Sequence, residues 1–357
     1  MRIVQIIDSL EVGGAERMAV NYANALSGKI SFSGLVVTRK EGDLRSKIDK
    51  KVDYLFLNKK KTVDWEAVLK LKLYCQTNNV EILQPHSSSY FIAFLVKLIY
   101  PKIQIIWHDH NGLSEFLSSQ KWLPLKMASC FFKGIIVVNY QLEKWAKKEL
   151  NCKKVIYLPN FTYKEVDITY ETVLNGNPDK RIICLANLRH QKNHQLLIEV
   201  AIKLKITHSD WSFHLVGKDF EDDYSRELKD AIVANDLVEN VFLYGSVNDT
   251  ANVINQSEIG VLTSRSEGLP VVLLEFGLYK KAIVFTNVGE IPLIVQDKQN
   301  GLLVPSKNVD LFYDSIVLLI NNPQIREQLG LALFKTIIEK NSEKVVLDSY
   351  FKWLKEL

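Results

Sequence analysis

The stretch Ser264-Arg265-Ser266-Glu267-Gly268-Leu269-Pro270-Val271-Val272-Leu273-Leu274-Glu275-Phe276-Gly277 decides how the rest of the sequence is interpreted. The apolar run before it, residues 259–263, is typical of a buried strand that ends in a polar turn. Pro270 is expected at the first position of the helix that follows, because a missing N–H costs nothing there. The stretch therefore predicts a strand, a glycine turn and a helix N-terminus in succession.

This turn has the chemistry of an anion site. The amides of Val271 and Val272 would point out of the helix beside Gly268, where the orphan N–H groups and the helix dipole act together. Glu275 shares the face of those amides, so its carboxylate is expected to look into the same opening as Glu267. Such a site fits a phosphorylated sugar or a nucleotide. The alternative is an ordinary surface turn with a glutamate favoured by the dipole.

The length and composition indicate a soluble α/β protein. A chain of 357 residues fits two domains, and 47% hydrophobic and 24% charged residues are ordinary for globular proteins. No apolar run approaches the roughly 18 residues that span a bilayer, and the first residues have no signal-peptide layout. Cys75, Cys130, Cys152 and Cys184 are widely scattered, so we expect free thiols in a reducing compartment, the cytosol.

Short runs of Ile and Val alternate with amphipathic segments, which predicts parallel sheets covered by helices. The predicted strands are residues 3–8, 35–38, 54–57, 80–84, 103–107, 135–138 and 155–158, then 182–185, 212–216, 241–244, 259–263 and 282–286. A polar stretch, residues 162–180, separates the two groups and contains the turn Asn175-Gly176-Asn177-Pro178. We expect two βαβ domains that bind ligands in a crevice at the carboxyl ends of their strands.

Two further motifs follow strands in the first half. Gly13 and Gly14 lie between the first strand and the first helix, and suit either a tight turn or a loop that approaches a ligand. They are not the dinucleotide fingerprint, because Gly-x-Gly-x-x-Gly is absent. His108 and His110 follow residues 103–107 and would project to one face. No third ligand with metal spacing is near them in sequence, so we expect no metal, and either loop-capping histidines or a substrate contact.

A basic loop opens the second half after residues 182–185. Arg189 and Lys192 could neutralise a diphosphate, the arginine through its planar fork and the lysine as a point charge. A solvated basic loop is the alternative. His190 and His194 are four residues apart, but the turn between them argues against a helical metal pair.

The twin glutamates Glu267 and Glu275 are separated by seven residues, and the first lies in a Ser-Glu-Gly-Leu-Pro motif; together they resemble the signature of the retaining glycosyltransferases of family 4. The resemblance implies the GT-B fold, in which two Rossmann-like domains face a cleft. Residues 1–165 would then bind the acceptor and residues 166–342 the nucleotide sugar. A last helix at about 343–357 would cross back to the first domain.

The resemblance also implies roles for individual residues. Glu267 would hold the donor sugar and Glu275 the ribose hydroxyls, beside the Gly268, Leu269, Val271 and Val272 turn. His108 aligns with a histidine that abuts the donor sugar, with His110 as the fallback. Gly13 and Gly14 match a loop facing donor phosphate and acceptor, and Val247 lies in a turn beside the base. Lys192 matches a lysine that grips the diphosphate. Asn187 stands in place of the usual arginine, whose role Arg189 would take over.

The implied function is a retaining hexosyltransferase that moves a sugar from a UDP- or GDP-sugar to a saccharide acceptor. Such acceptors are often lipid-linked or part of a growing surface polysaccharide, such as capsule or lipopolysaccharide. Neither a metal nor a cofactor is expected, because side chains supply the positive charge. The alternatives are a sugar-nucleotide 2-epimerase of the same fold and a non-catalytic partner subunit.

The charge is divided unevenly along the chain. Residues 1–165 hold 25 Lys and Arg against 15 Asp and Glu, a net of +10, and the remainder has a net of −6. The basic half includes Lys59-Lys60-Lys61, a cluster from Lys144 to Lys154, and Lys121-Trp122-Leu123-Pro124-Leu125-Lys126-Met127. Cations beside aromatic and aliphatic groups suit an anionic membrane surface. Nucleic acid is not expected, since no nucleic-acid-binding motif is present. We expect a peripheral enzyme at the inner face of the cell membrane.

Overall fold

The computed structural model of the chain describes residues 1–110, 123–163 and 170–357. The chain divides into two compact units. Unit 1 contains Met1–Phe161 together with Glu343–Leu357, and unit 2 contains Thr162–Ser342. The sequence placed the division between residues 165 and 166, four residues further along. The α/β class with two parallel-sheet domains is confirmed.

Unit 1 is built on a parallel sheet of strand order β3-β2-β1-β4-β5-β6-β7. Its strands are β1 Arg2–Ser9, β2 Phe32–Lys40, β3 Asp53–Phe56, β4 Ile82–Pro85, β5 Gln104–Asp109, β6 Phe132–Val137 and β7 Val155–Tyr157. The connecting helices are α1 Gly14–Ser27, α2 Trp65–Thr77, α3 Tyr90–Ile99, α4 Leu123–Ala128 and α5 Tyr140–Glu149. All these strands run in one direction, so their carboxyl ends form one edge of the sheet.

Sequence signals account for the helices of unit 1. Met18, Tyr22 and Leu26 form one stripe of α1, and all three are buried against the sheet. Asp64 caps α2 by accepting a hydrogen bond from the Ala67 N–H. A helix with one apolar stripe normally exposes its opposite face to solvent.

Unit 2 has a second parallel sheet, of order β10-β9-β8-β11-β12-β13. Its strands are β8 Arg181–Leu185, β9 Ser212–Val216, β10 Val241–Gly245, β11 Ile259–Leu262, β12 Ala282–Thr286 and β13 Leu302–Val304. Its helices are α6 His194–Thr207, α7 Asp223–Ala234, α8 Thr250–Asn255, α9 Val271–Leu278, α10 Ile291–Ile294, α11 Val309–Asn321 and α12 Pro323–Asn341. The sequence did not predict β13, because three residues directly after Asn300-Gly301 give no periodic signal.

The last helix, α13 Glu343–Glu356, belongs to unit 1, as expected from the resemblance. The Tyr350 hydroxyl donates a hydrogen bond to Gln84 Oε1 at 2.7 Å. Trp353 packs over Gly134, where even a Cβ atom would lie 2.6 Å from the indole ring. Burial of these two aromatic side chains makes α13 part of the unit 1 core.

The described residues include no helix with the length and apolar character needed to cross a membrane. All four cysteines are free. Burial raises the pKa of the Cys75 and Cys184 thiols to about 12, so neither is a reactive thiolate at neutral pH.

Candidate active site

In unit 2 the loops after β8 and β11 are joined at the carboxyl edge of the sheet. The Arg265 N–H donates to the Gln191 carbonyl at 2.8 Å, and Gln191 Nε2 donates to the Ser266 carbonyl at 2.7 Å. The Thr263 hydroxyl donates to the carbonyl of Lys192 at 3.0 Å. These bonds fix the basic loop against the turn that carries Glu267.

Lys192 and Glu267 form an ion pair at this junction. Lys192 Nζ lies 2.5 Å from Glu267 Oε1, and the side chains are 22% and 7% exposed. The Ser264 hydroxyl donates to the same oxygen at 2.5 Å. Among the described residues no donor contacts Glu267 Oε2, so one oxygen of this buried carboxylate remains for a ligand hydroxyl.

The turn continues into the N-terminus of α9. Val271 is its first residue and Pro270 is the N-cap, with extended backbone at φ −69° and ψ 129°. The prediction that Pro270 is the first helical residue was therefore wrong by one position; its backbone has not yet entered the helix. The first helical hydrogen bond runs from the Leu273 N–H to the Pro270 carbonyl at 3.1 Å. The amides of Val271 and Val272 precede it and have no intrahelical partner.

Gly289, which follows β12, packs directly against the turn that carries Glu267. Its φ is +57°, and a Cβ there would lie 1.8 Å from the Glu267 carbonyl oxygen. The Glu290 N–H approaches the Gly268 carbonyl at 3.4 Å. Only glycine combines this left-handed backbone with so close an approach. The position of the Glu267 turn therefore depends on a glycine at residue 289.

The remaining predicted residues of unit 2 are arranged less tightly. The Arg189 guanidinium stacks on the Phe220 ring, 4.7 Å from its centroid. Within the described residues, it forms no hydrogen bond with Lys192 or Glu267. Asn187 Oδ1 accepts the Lys218 N–H at 2.9 Å, so it holds the neighbouring loop. Glu275 is half-buried on α9, Leu269 is buried and Gly268 is half-buried. Val247 packs against the unit 2 core after the turn at Gly245.

In unit 1, three histidines cluster at the carboxyl ends of β4 and β5. The rings of His108 and His110 lie 4.0 Å apart, and His86 lies 4.9 and 5.0 Å from them. No third metal ligand lies near this pair in sequence, but the fold brings His86 to it, because His86 directly follows β4, the strand beside β5. Each of the three histidines offers one ligand nitrogen, and these nitrogens all lie within 4.8 Å of one another. A transition metal accepts three imidazole ligands in such an arrangement.

Hydrogen bonds connect these rings as neutral imidazoles. His86 Nδ1 lies 2.8 Å from His110 Nε2, and His86 Nε2 lies 2.8 Å from Gln5 Oε1. His108 Nδ1 contacts Gln84 Nε2 at 3.2 Å. Burial lowers the pKa of His110 to about 3 and holds the pKa of His86 and of His108 well below 6.5, and neighbouring rings of the cluster lower those of His86 and His108 further. At neutral pH the cluster is therefore uncharged.

The two histidines singled out in the sequence differ in accessibility. His108 is 1% exposed and lies against Tyr22, whereas His110 is half-buried. His110 is thus the less buried of the two residues. Gly13, the N-cap of α1, carries the Glu16 carboxylate above it, and Gly14 is exposed with open space at its Cβ position.

The comparisons with known proteins place this geometry in a family context. Residues 172–333, most of unit 2, match the model of the family Glycosyl transferases group 1. This is a glycosyltransferase. It is 24% identical to an uncharacterized glycosyltransferase of Haemophilus influenzae over 89% of this chain and 90% of that protein. It is 24% identical to a Campylobacter jejuni GalNAc-alpha-(1->4)-GalNAc-alpha-(1->3)-diNAcBac-PP-undecaprenol alpha-1,4-N-acetyl-D-galactosaminyltransferase over 92% and 91%.

The glycosyltransferase also shares its fold with solved structures. Anabaena HepE, determined in complex with UDP and glucose, superposes with a TM-score of 0.83 over 100% of both chains at 16% identity. That likeness confirms the GT-B fold.

Sequence reasoning missed four features of the candidate sites in the two units. Ser264 was quoted but not recognised as the donor to Glu267, and Gln191 was not recognised as the tie between two loops. His86 was missed although a signal existed, since polar residues after neighbouring parallel strands meet at one edge of the sheet. Nothing in the sequence indicated that Gly289 lies under Glu267.

Proposed function

We propose that this glycosyltransferase is a retaining, family 4 enzyme that moves a sugar from a nucleotide-sugar donor to an acceptor hydroxyl. The observation that supports this most is the Lys192–Glu267 pair beside the N-terminus of α9. The site combines a cation, two amides that point out of the helix, and a carboxylate with one oxygen left for a ligand. These groups match the two chemically different ends of a nucleotide sugar. The diphosphate takes the cation and the amides, and the sugar takes the carboxylate.

Each group then has a role in the reaction. Negative charge builds on the departing diphosphate as the bond to the sugar breaks, and Lys192 with the Val271 and Val272 amides stabilises it. Glu267 accepts hydrogen bonds from the sugar and stabilises its developing positive charge. Glu275 holds the ribose hydroxyls. These groups work without a metal ion in the proposed scheme, since the ammonium and the amides carry the positive charge.

Two assignments change with the structure. His110, and not the buried His108, is proposed as the histidine that contacts substrate, because His110 is the less buried of the two residues. Arg189 reaches the diphosphate only if it leaves Phe220, so Lys192 is the principal cation of the unliganded site. The structural use of Asn187 favours one alternative, a non-catalytic partner subunit with weakened nucleotide binding.

The acceptor is proposed to be a saccharide on a phosphorylated lipid, bound by unit 1 at the inner face of the cell membrane. The Campylobacter jejuni relative acts on an undecaprenol-diphosphate-linked sugar by its name. Trp65, Leu69 and Leu73 repeat every four residues on the outer face of α2 and are 55%, 55% and 64% exposed. Helix α3 packs against both α2 and α4, and α4 exposes Leu123 and Met127.

This apolar helix face is defined by the exposed apolar residues of α2, α3 and α4. Unit 1 also exposes lysines close in sequence to these helices, including Lys60, Lys61, Lys126 and Lys133. Apolar side chains with surrounding cations match an anionic lipid surface, where each cation contributes about 1 kcal/mol. Lys121 and Trp122, part of the predicted segment, lie outside the described residues. Lys59 does not belong to this surface, because it is only 8% exposed.

The activity is tested by binding and turnover. A thermal-shift panel of UDP, GDP and their sugar conjugates should single out one nucleotide, since stabilisation reaches about 2.7 kcal/mol at a hundredfold excess over Kd. With that sugar nucleotide and a lipid-linked saccharide, NMR of the product should show the anomeric configuration of the donor retained, with full activity in EDTA. Absence of nucleotide binding would support the partner-subunit alternative, and a changed sugar C2 configuration without acceptor would support an epimerase.

Membrane docking is tested by sedimentation with vesicles. Binding to anionic vesicles should be strong near 50 mM salt and weak at 500 mM, because the Debye length falls from roughly 14 Å to 4 Å. Replacing Trp65 and Leu69 by Ser should abolish it. The matched control replaces Ile206 and Val233, exposed apolar residues of unit 2, and should leave binding intact. Equal losses in both variants would remove the apolar helix face from this role.

A further inference from the structure

Besides the uncharged histidine cluster, the carboxyl edge of the unit 1 sheet holds a charged group of side chains. Strands β3, β2, β1 and β4 are neighbours, and Lys59, Arg39, Asp8 and Ser88 lie at or just beyond their ends. The Lys59 N–H donates to the Thr38 carbonyl at 2.7 Å, so Lys59 extends the β3–β2 pairing and lies next to Arg39. This row occupies the edge where ligands of parallel sheets bind.

Lys59 is unusual within the row because its side chain is mostly covered by its neighbours, while its ammonium has no hydrogen-bond partner among the described residues. The residue is 8% exposed, and within the same part of the chain its ammonium forms no ion pair either. Buried lysines are rare unless paired, because removing an ammonium from water is costly. Burial and the Arg39 charge lower its pKa, and the carboxylates of Asp8 and Asp64 only partly oppose them. The next residue, Lys60, is exposed and donates to Asn58 Oδ1 at 2.8 Å.

The nearby carboxylate is already engaged by hydroxyl groups. Asp8 Oδ1 accepts from the Thr38 hydroxyl at 2.5 Å, and Oδ2 accepts from the Ser88 hydroxyl at 2.6 Å. Arg39 Nε is 3.9 Å from Asp8 Oδ1, beyond a hydrogen bond, and the arginine is 42% exposed. The carboxylates near Arg39 and Lys59 therefore have other partners: both oxygens of Asp8 accept hydroxyl groups, and Asp64 accepts backbone N–H groups. The edge offers an ammonium without a hydrogen bond among the described residues and a guanidinium with donors to spare.

We propose that Arg39 and Lys59 form a subsite for a phosphate or diphosphate group of the acceptor. The arginine supplies a fork that matches two phosphate oxygens, and the lysine supplies a point charge from a partly desolvated position, where it is little screened. The inference rests on the proposed function for the identity of the ligand as acceptor. The anion site itself rests only on unit 1.

The subsite is tested first by binding inorganic pyrophosphate to the full-length chain in saturating UDP, which occupies the Lys192 site. Lys59→Met keeps the aliphatic stem and should weaken pyrophosphate binding about 10- to 100-fold, while the exposed control Lys60→Met should bind like the wild type. Arg39→Gln should weaken binding similarly, against Lys40→Gln, whose native lysine is paired with Glu11. Equal affinities across the matched pairs would overturn the subsite.

A second measurement identifies the ligand. In Lys59→Met, KM for a saccharyl diphosphate acceptor should rise at least tenfold with kcat little changed, and KM for the same saccharide as a methyl glycoside should not change. The Kd for UDP should stay the same. Weaker UDP binding would indicate that these cations contact the donor, and it would refute the acceptor assignment. If UDP does not bind the wild type at all, the proposed function fails, whereas pyrophosphate titration without UDP still decides whether an anion site exists.

Discussion

Replacing Glu267 by Gln should affect binding and catalysis in opposite directions. In the unliganded site Lys192 is held by Glu267 at 2.5 Å, so an incoming diphosphate competes with that carboxylate for the ammonium. A hydrogen bond between charged groups contributes about 1.5–3 kcal/mol and a neutral one about 0.5–1.5. The substitution therefore removes about 1–1.5 kcal/mol of competition. We expect the nucleoside diphosphate to bind roughly 5- to 12-fold more tightly.

Turnover should nevertheless fall about 10²-fold or more, because an electrostatic group that stabilises the transition state is lost. Isothermal titration with UDP and steady-state transfer assays measure the two effects. Asp310→Asn is a suitable control, since Asp310 also pairs with a lysine, Lys203, but lies exposed on α11. Weaker UDP binding in Glu267→Gln would refute the competition, and unchanged turnover would remove Glu267 from catalysis.

Three further predictions concern the same residues. Lys192→Ala should weaken UDP binding by about 1.5–3 kcal/mol and leave uridine binding unchanged, as titration of both ligands will show. Gly289→Ala should cost more stability than Gly245→Ala and abolish transfer, because both glycines have positive φ but only Gly289 faces an oxygen, at 1.8 Å; equal melting temperatures would contradict this. Acid should destabilise unit 1. The pKa of His86, His108 and His110 lies below 6.5 in the folded chain, so the unfolded chain takes up protons first and stability falls as the pH drops below 6.5. The slope is up to about 1.4 kcal/mol per pH unit per histidine. Tryptophan fluorescence in urea, which reports mainly on unit 1 since Trp211 is the one tryptophan of unit 2, should show lower midpoints at pH 5 than at pH 7.

The hydrophobic periodicity and the residue composition of the sequence were sufficient to predict most of the fold. Runs such as 212–216 and 282–286 have the bounds of their strands, because buried parallel strands consist of unbroken apolar residues between polar turns. β13 escaped detection, since three residues paired with a neighbour depend on tertiary context. The position of α13 was expected from the family resemblance and not from its own pattern, which indicates only an amphipathic helix.

The candidate site was predictable in its residue types but not in its partnerships. Glu267 and Lys192 were both named from the sequence, yet 75 positions separate them, and no spacing rule indicates that they touch. Lys59 was assigned to a surface cluster with Lys60 and Lys61, because three consecutive lysines normally face water. Its burial depends on the pairing of residue 59 with β2, which only the folded sheet reveals.

The membership of α13 in unit 1 also determines when the enzyme becomes whole during synthesis. Unit 2 is a continuous segment and can fold as soon as Ser342 leaves the ribosome, whereas unit 1 also needs α13, which is synthesised later. Until then Gly134 lacks the indole that covers it, and Gln84 lacks the Tyr350 hydroxyl. Lys154 Nζ also donates to the carbonyl oxygen of Leu357 at 3.0 Å, which adds a bond between this segment and unit 1. A truncation that removes α13 thus affects unit 1, although all of unit 2 lies between α13 and the rest of that unit in the sequence.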